Sequence, residues 1–255
     1  MGYNTKIDWC DTSWNPVTGC LHGCEYCYAR KIVVRFGWDN DDELLHDVHM
    51  PQRNMIGNIN PYPFGFAPTF HRYRLDMPQK WTTPRTIFVC SMADLFGEWV
   101  PDEWVKEVLD ACRKAPQHRY LFLTKNPDRY DALEDAGIIT PDDKNFWLGS
   151  TTTDIMKSRL HWDSALHTFQ SCEPMLAPWP PAGKPNEKFT GLWPDWVIFG
   201  AETGNRKGKV VPEKSWVDNA VEMCRNIGAK VFMKESLRGI MGADFIQEFP
   251  WEVKT

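Results

Sequence analysis

Short apolar runs alternate with amphipathic segments from residue 86 onward. The runs lack a helical period, and this alternation predicts βα units built around a buried parallel sheet. Strands are predicted at 5–10, 86–92, 120–125, 146–151, 167–172, 195–201 and 229–234. Helices are predicted at 101–115, 128–136, 154–160 and 215–228, and the last of these has Ser215 as N-cap and Gly228 as its C-terminal stop.

Seven strands, each followed by a crossover, predict an α/β fold, a partial or full (β/α) barrel of parallel strands. Two regions interrupt the alternation. Residues 50–85 are rich in Pro, Asn, Gly and aromatic residues and indicate a long loop or lid, and residues 176–194 indicate a second irregular insertion. We interpret residues 1–255 as a single barrel domain that carries both insertions.

Composition narrows the possible partners. The formal net charge of −5 gives no overall attraction to nucleic acid, so such a partner would need a local basic patch. The chain contains no run of eighteen apolar residues, which predicts a cytoplasmic protein without a membrane partner. Thirteen Trp residues can line pockets as well as fill the core. Four cysteines occupy apolar positions typical of small buried side chains, namely Cys90, Cys112, Cys172 and Cys224.

Polar residues follow the predicted strands. Because barrel chemistry lies at the carboxyl ends of strands, we expect these residues to line one cup. Strand ends also meet solvent, which is sufficient to explain the Thr and Lys residues; Glu173 and Glu202 follow deeply apolar strands and are stronger candidates for ligand contact. The set comprises Ser91, Asp94, Thr124, Lys125, Ser150, Thr151, Thr152, Thr153, Glu173, Glu202, Lys234 and Glu235.

Cys20, Cys24 and Cys27 have the spacing Cys-x3-Cys-x2-Cys. Thiolates at such mixed gaps can wrap a cubane iron–sulfur cluster, and three ligands leave one iron open to a substrate or cofactor. The alternative is a zinc site completed by Cys10 or His22. Zinc modules favour paired Cys-x2-Cys knuckles, and the loop contains one such pair.

The run "CLHGCEYC", with the aromatic Tyr26 before its third cysteine, resembles the signature of the radical S-adenosylmethionine superfamily. Six further runs resemble, in order, the motifs of a phage- and prophage-associated three-cysteine family with no assigned reaction. They span nearly the whole chain: "IDWCDTSWNPVTGC", "IFVCSMADLF", "LTKNPDR", "CEPML", "WVIFGAETG" and "FMKES".

This resemblance implies that Cys20, Cys24 and Cys27 hold a 4Fe–4S cluster whose fourth iron binds S-adenosylmethionine. An electron from a donor such as flavodoxin or ferredoxin would cleave the sulfonium to methionine and a 5′-deoxyadenosyl radical, which abstracts hydrogen from the substrate.

The resemblance also implies roles for individual residues. The superfamily often has a Gly-Gly-Glu run after the second strand, and here that place reads Ser91-Met92-Ala93-Asp94, so the Asp94 carboxylate or the Ser91 hydroxyl is expected to replace it. The other candidates are Tyr26 near the adenine, Thr151, Thr152 and Glu173 at the ribose and methionine ends, and Glu202 and Lys234 facing the substrate.

The substrate class stays open between a nucleic-acid base, a peptide and a small metabolite, and the base is the leading candidate. The run "NRKGK", with Arg206, Lys207 and Lys209, is either a phosphate-binding patch or an ordinary solvated turn. The alternative function is that of a non-catalytic iron–sulfur or zinc-binding accessory protein of a phage-encoded partner.

Overall fold

The computed structural model describes residues 5–35, 43–156, 164–179 and 193–252. The chain divides into two compact units, residues 1–146 and residues 147–255. None of the helices in the described ranges combines the length and apolar character needed to cross a bilayer.

The strands and helices of unit 1 are β1 (Thr12–Trp14), β2 (Val17–Thr18), α1 (Tyr28–Arg35), β3 (His46–Val48), β4 (Thr69–His71), β5 (Thr86–Val89), α2 (Asp102–Arg113), β6 (Arg119–Thr124) and α3 (Asp128–Asp135). Three of the strands are parallel, in the order β1-β5-β6. All four residues of β5 are buried, as expected for a strand covered on both faces, and the α2 residues Trp104, Val108 and Cys112 are also buried.

A second, three-stranded sheet in unit 1 has the order β2-β4-β3. In it β2 runs antiparallel to β4, with Val17 opposite Phe70, and β3 runs parallel to β4. Strand β4 and two 3₁₀ turns, Arg72–Arg74 and Pro78–Lys80, lie within the predicted loop 50–85. This segment therefore contributes ordered backbone to the scaffold, and its role as a lid stays a prediction.

The strands and helices of unit 2 are β7 (Phe146–Thr152), β8 (His167–Cys172), β9 (Trp196–Phe199), α4 (Lys214–Ile227), β10 (Lys230–Met233) and α5 (Arg238–Met241). Its four strands are parallel, in the order β7-β8-β9-β10. The core of the unit joins β9 and β10 to α4 through apolar side chains such as Val197, Val231 and Val217, all fully buried.

The predicted fold class, α/β with a partial (β/α) barrel of parallel strands, is confirmed. Six of the seven predicted strands are present, and the helices predicted at 101–115, 128–136 and 215–228 are α2, α3 and α4. Gly228 ends α4 with a φ of 79°, as predicted. The helix predicted at 154–160 falls partly on residues 157–163, and the insertion predicted at 176–194 largely on 180–192, outside the described residues.

Two local predictions are wrong. Residues 5–10 form turns and bends, and the first strand is β1 (Thr12–Trp14). In this segment the side chain of Thr5 accepts the Ile7 N–H at 3.2 Å, a local bond that competes with strand pairing. Ser215 is not the N-cap of α4, because the helix begins at Lys214 with Glu213 in the capping position and without a side-chain cap.

Candidate metal centre

The cysteine loop, residues 19–27, connects β2 to α1 and so follows the first parallel strand of unit 1. Its first residues are held by backbone hydrogen bonds on two sides. Gly19 N–H donates to the Met92 carbonyl at 2.9 Å, and Cys20 N–H donates to the Phe66 carbonyl at 3.2 Å. The start of the loop is therefore fixed both to the turn after β5 and to the chain that leads into β4.

The two glycines of the loop are required for different structural reasons. Gly19 has a φ of +86°, and a Cβ placed on it would lie 2.2 Å from the Ala67 carbonyl oxygen. Gly23 has a φ of +66°, but a Cβ there would meet nothing within 4 Å. Gly19 is thus required for close backbone approach as well as for conformation, and Gly23 only for its left-handed conformation.

The three loop thiols are partly exposed, whereas the cysteines predicted to be core residues are all buried. Burial raises the pKa of the Cys20 thiol to about 12, although the backbone N–H of His22 acts in the opposite direction and lowers this pKa. A second backbone donor, Arg30 N–H, lies 3.4 Å from Cys27 Sγ. Hydrogen bonds to sulfur are a feature that tunes iron–sulfur centres, and a bound metal would keep the thiols deprotonated. The loop fits a thiolate-ligated cluster on these grounds.

A single zinc ion would need sulfurs about 3.8 Å apart, from the Zn–S bond length and tetrahedral geometry. Within the part of the chain that the structure describes, no three His, Cys, Asp or Glu side chains form such a group. The proposed fourth ligands are directed elsewhere: Cys10 Sγ lies 3.9 Å from the Ile7 carbonyl oxygen, and His22 bonds to Asp94. A cubane takes one cysteine per iron and does not require the thiols to meet at one point.

Tyr26, the predicted adenine neighbour, contacts a lysine from the end of β6. Lys125 Nζ donates to the Tyr26 hydroxyl at 3.3 Å and lies 5.3 Å from the centre of its ring. Burial raises the pKa of Tyr26 despite the ammonium of Lys125, so the phenol stays protonated at neutral pH. Sequence reasoning identified Lys125 as a strand-end residue but not this contact, since nothing in the spacing of the two residues signals it. The role of Tyr26 toward adenine stays a prediction.

Asp94 is only 5% exposed, and its carboxylate already accepts three hydrogen bonds. Oδ1 accepts the Phe96 N–H at 3.0 Å, whereas Oδ2 accepts the Lys125 N–H at 2.9 Å and His22 Nε2–H at 2.7 Å. The residue therefore joins the cysteine loop to the chain after β5 and after β6. Its predicted part in holding the methionine end of a cofactor is not tested by these contacts.

The turn after β5 is also held internally. Ser91 Oγ donates to Asn15 Oδ1 at 3.1 Å, the same oxygen accepts the Met92 N–H at 3.0 Å, and the Tyr28 hydroxyl donates to the Ser91 carbonyl. Cys90 has a φ of +58°, which is uncommon for a residue with a side chain and marks a sharp change of chain direction. The predicted cofactor contact of Ser91 stays a prediction.

Unit 2 brings two of the predicted residues together at the carboxyl ends of β8 and β10, the strands on either side of β9. Lys234, after β10, forms an ion pair with Glu173, after β8. Gly200, after β9, lies beside this pair, since a Cβ there would be 3.1 Å from Glu173 Cγ and 3.2 Å from Lys234 Cδ. Glu173 and Lys234 are thus brought together, and each compensates the charge of the other.

Glu202, the other predicted catalytic residue, has a side chain that is only 2% exposed. Arg206 binds it through two bonds, from Nε to Oε1 at 2.7 Å and from an Nη to Oε2 at 2.8 Å. The charge of Arg206 is therefore compensated, and within the "NRKGK" run Lys207 and Lys209 are the exposed cations. Lys209 Nζ donates to the Gly204 carbonyl at 3.3 Å, which folds the run into a turn.

Thr151 and Thr152 end β7 opposite Ser171 and Cys172 of β8. Thr152 is buried, whereas Thr151 is partly exposed, so Thr151 is the better placed of the two for contact with a ligand. The ribose and methionine contacts assigned to this pair stay predictions.

Comparisons with known proteins place the chain among related folds. The family model described as "Protein of unknown function (DUF5131)" matches residues 4–239. Spore photoproduct lyase complexed with dinucleoside spore photoproduct is similar in structure, with a TM-score of 0.52 and 12% sequence identity over 90% of this chain and 79% of that one. A variant of the lyase with bound AdoMet and the same dinucleoside has a TM-score of 0.50 and 11% identity over 89% and 78%.

The search of curated proteins found no match. At these identities the structural likeness shows the fold. The predicted phage association is not tested by any of the three comparisons and stays a prediction.

Proposed function

We propose that this chain, which belongs to the family described as "Protein of unknown function (DUF5131)", is a radical S-adenosylmethionine enzyme. The observation that carries the proposal is the cysteine loop: three partly exposed thiols with Cys-x3-Cys-x2-Cys spacing follow the first parallel strand, and the sulfur of Cys27 accepts the Arg30 N–H at 3.4 Å. The structure of spore photoproduct lyase with bound AdoMet supports it, because the similar fold accepts the proposed cofactor.

Cys20, Cys24 and Cys27 would hold a 4Fe–4S cluster and leave one iron open for the amino and carboxylate groups of S-adenosylmethionine. When bound, the cluster would supply the electron that splits the sulfonium into methionine and a 5′-deoxyadenosyl radical, the species that abstracts hydrogen from the substrate. Flavodoxin or ferredoxin is the class of donor that we propose, and the cytoplasm is the proposed location.

The chain's own groups would bind and orient the reactants. In this proposal Tyr26 packs near the adenine, and Ser91 or Asp94 replaces the missing Gly-Gly-Glu run. The ribose and methionine ends would be contacted by Thr151, Thr152 and Glu173, and the substrate would face Glu202 and Lys234. Since Glu202 is held by Arg206 and Lys234 by Glu173, these groups would act as fixed, charge-compensated contacts and not as free acids or bases.

Anaerobic purification followed by iron, sulfide and zinc analysis tests the cluster. We expect about four iron and four sulfide per chain in the wild type, which is the composition of the cubane. Cys24→Ser should lose this iron. The matched control, Cys10→Ser, should retain it, because Cys10 lies outside the loop and contacts Ile7. One tightly held zinc without sulfide would end the proposal.

The reaction itself is tested by adding S-adenosylmethionine and dithionite to the reconstituted protein and measuring 5′-deoxyadenosine by liquid chromatography. We expect product in the wild type and none in Cys24→Ser. A cluster without product under several reductants would instead indicate the accessory-protein function.

A nucleic-acid base is the substrate class that we propose. Two observations support it: the lyase structures contain a dinucleoside, and Lys207 and Lys209 are exposed on the turn after β9. Oligonucleotide binding should weaken with salt, and a Lys207→Ala/Lys209→Ala variant should have a salt slope about 1–2 units smaller. Lys80→Ala is the control, because its exposed ammonium is paired with Asp76. Binding that is independent of salt and of both lysines would favour a peptide or small-metabolite substrate.

A further inference from the structure

We propose that Asp94 acts through His22 to position the cysteine loop, by holding the side chain of the residue that stands between Cys20 and Cys24. We call the Asp94–His22 contact the latch. The inference rests on the proposed cluster at the three loop cysteines. It assigns to Asp94 a positioning role in place of direct cofactor binding.

The latch is a short contact between two otherwise fixed groups. His22 Nε2 lies 2.7 Å from Asp94 Oδ2, and since a carboxylate accepts, Nε2 carries the proton. The imidazole also packs edge-on against Trp99, with 4.8 Å between ring centres. The Trp99 indole nitrogen is buried and, among the described residues, has no hydrogen-bond acceptor. The side chain of His22 is therefore held by two contacts, one with Asp94 and one with Trp99.

The other end of the latch does not move freely. Asp94 Oδ1 is occupied by the Phe96 N–H and Oδ2 by the Lys125 N–H, at 3.0 and 2.9 Å. These donors follow β5 and β6, two adjacent parallel strands. The carboxylate therefore fixes His22 relative to the ends of these two strands. Because the carboxylate lies in the interior, water competes less for its hydrogen bonds.

The latch acts on the thiols through the loop that carries them. His22 stands between Cys20 and Cys24, two residues from each. Once the imidazole is released, this part of the loop is no longer fixed by a side-chain anchor. The loop should then open more easily, which exposes its thiols to reagents and weakens its hold on a cluster.

The test compares reconstituted wild type with His22→Ala, His22→Gln and Asp94→Asn. Retention of iron is measured without S-adenosylmethionine under challenge with a chelator. We expect faster loss of iron in His22→Ala and Asp94→Asn, and a smaller effect in His22→Gln, because its amide still offers a donor to Asp94. In the double variant His22→Ala/Asp94→Asn the free-energy effect should be less than the sum of the single variants, since both break the same contact. Leu21→Ala, in the same loop, is the control and should retain iron like the wild type.

A second readout does not need the cluster. In the metal-free chain, alkylation of each loop cysteine is followed by mass spectrometry, with a melting curve as the check on folding. Loss of the latch should raise the alkylation rate of Cys20 by about fivefold, the factor that corresponds to one net hydrogen bond. His22→Gln should restore most of the slow rate.

The outcomes separate the two proposals. Wild-type protein without iron and sulfide would refute the proposed function, and the alkylation rates would still decide on the latch. If the wild type holds a cluster and the variants leave both the iron retention and the alkylation rates unchanged, the latch is refuted alone. A weaker affinity of Asp94→Asn for S-adenosylmethionine with unchanged iron retention and alkylation would also overturn it, because Asp94 would then be a cofactor ligand.

Discussion

Replacement of Gly19 by alanine is the most direct test of how the cysteine loop is supported, and Gly23→Ala is its matched control. Both variants place a Cβ on a left-handed residue, which costs roughly 1–2 kcal/mol. Only at residue 19 does the Cβ meet backbone, 2.2 Å from the Ala67 carbonyl oxygen. The loop would have to move away from this oxygen.

That movement would break the hydrogen bonds from Gly19 N–H to Met92 and from Cys20 N–H to Phe66, of 2.9 and 3.2 Å. Each is worth about 1 kcal/mol net. We therefore expect Gly19→Ala to destabilise the loop by about 3–4 kcal/mol and Gly23→Ala by about 1–2 kcal/mol. The difference of about 2 kcal/mol corresponds to a ratio of about 30 in an equilibrium constant.

The assay is retention of iron by the reconstituted protein under challenge with a chelator, with hydrogen exchange of the loop amides as the structural readout. Gly19→Ala should lose iron much faster than Gly23→Ala and should exchange the amide of Cys20 faster. Equal retention in the two variants would refute the reasoning, since it would mean that contact with Ala67 does not support the loop.

Three further predictions concern other parts of the chain. Glu202→Gln should lower the free energy of unfolding in urea by about 1–3 kcal/mol, because Arg206 loses its carboxylate partner; an unchanged value would contradict this. Burial raises the pKa of Asp143, but hydrogen bonds, chiefly from Arg113, more than offset it, so the folded pKa lies below the unfolded value of about 3.9. This stabilisation is present above the unfolded pKa and is lost as the pH falls through the folded pKa; thermal melts should therefore show Asp143→Asn less stable than wild type at pH 7, with the gap closing in acid. Gly200→Ala places a Cβ 3.1 Å from the ion pair beside it and should reduce 5′-deoxyadenosine formation, with a change of less than about 1 kcal/mol in unfolding free energy; normal product formation would argue against a role for that pair.

The parallel strands could be predicted because they are covered on both faces and therefore read as continuous apolar runs. Strands β2, β3 and β4 could not be predicted, because a strand of two or three residues is too short to show a recognisable pattern of apolar and polar residues. The first strand was misplaced for a related reason: Asp11, through its carboxylate and its N–H, joins the chain to Thr86 at 2.7 and 2.9 Å, and pairing starts only after it.

The candidate site also has features that the local sequence predicts and contacts that it does not. Spacing alone predicts Cys20, Cys24 and Cys27 as ligands, because residues that bind one metal centre from a short loop can be recognised in the local sequence; their role as ligands stays a prediction. The contact of His22 with Asp94 joins residues 72 positions apart and depends on how the loops after two strands fold back. The position of Asp94 after an apolar strand marks it as a candidate, but nothing in the sequence identifies His22 as its partner.

The small β2-β4-β3 sheet has a consequence for any attempt to shorten this protein. Its β4 region supplies the carbonyl oxygen that receives the Cys20 N–H, and His71 N–H bonds to the Pro16 carbonyl at 2.7 Å just ahead of the loop. Excising residues 44–81 would therefore remove the backbone that supports the start of the cysteine loop. A shortened version of the protein would have to keep this support, or replace it with a substitute hairpin.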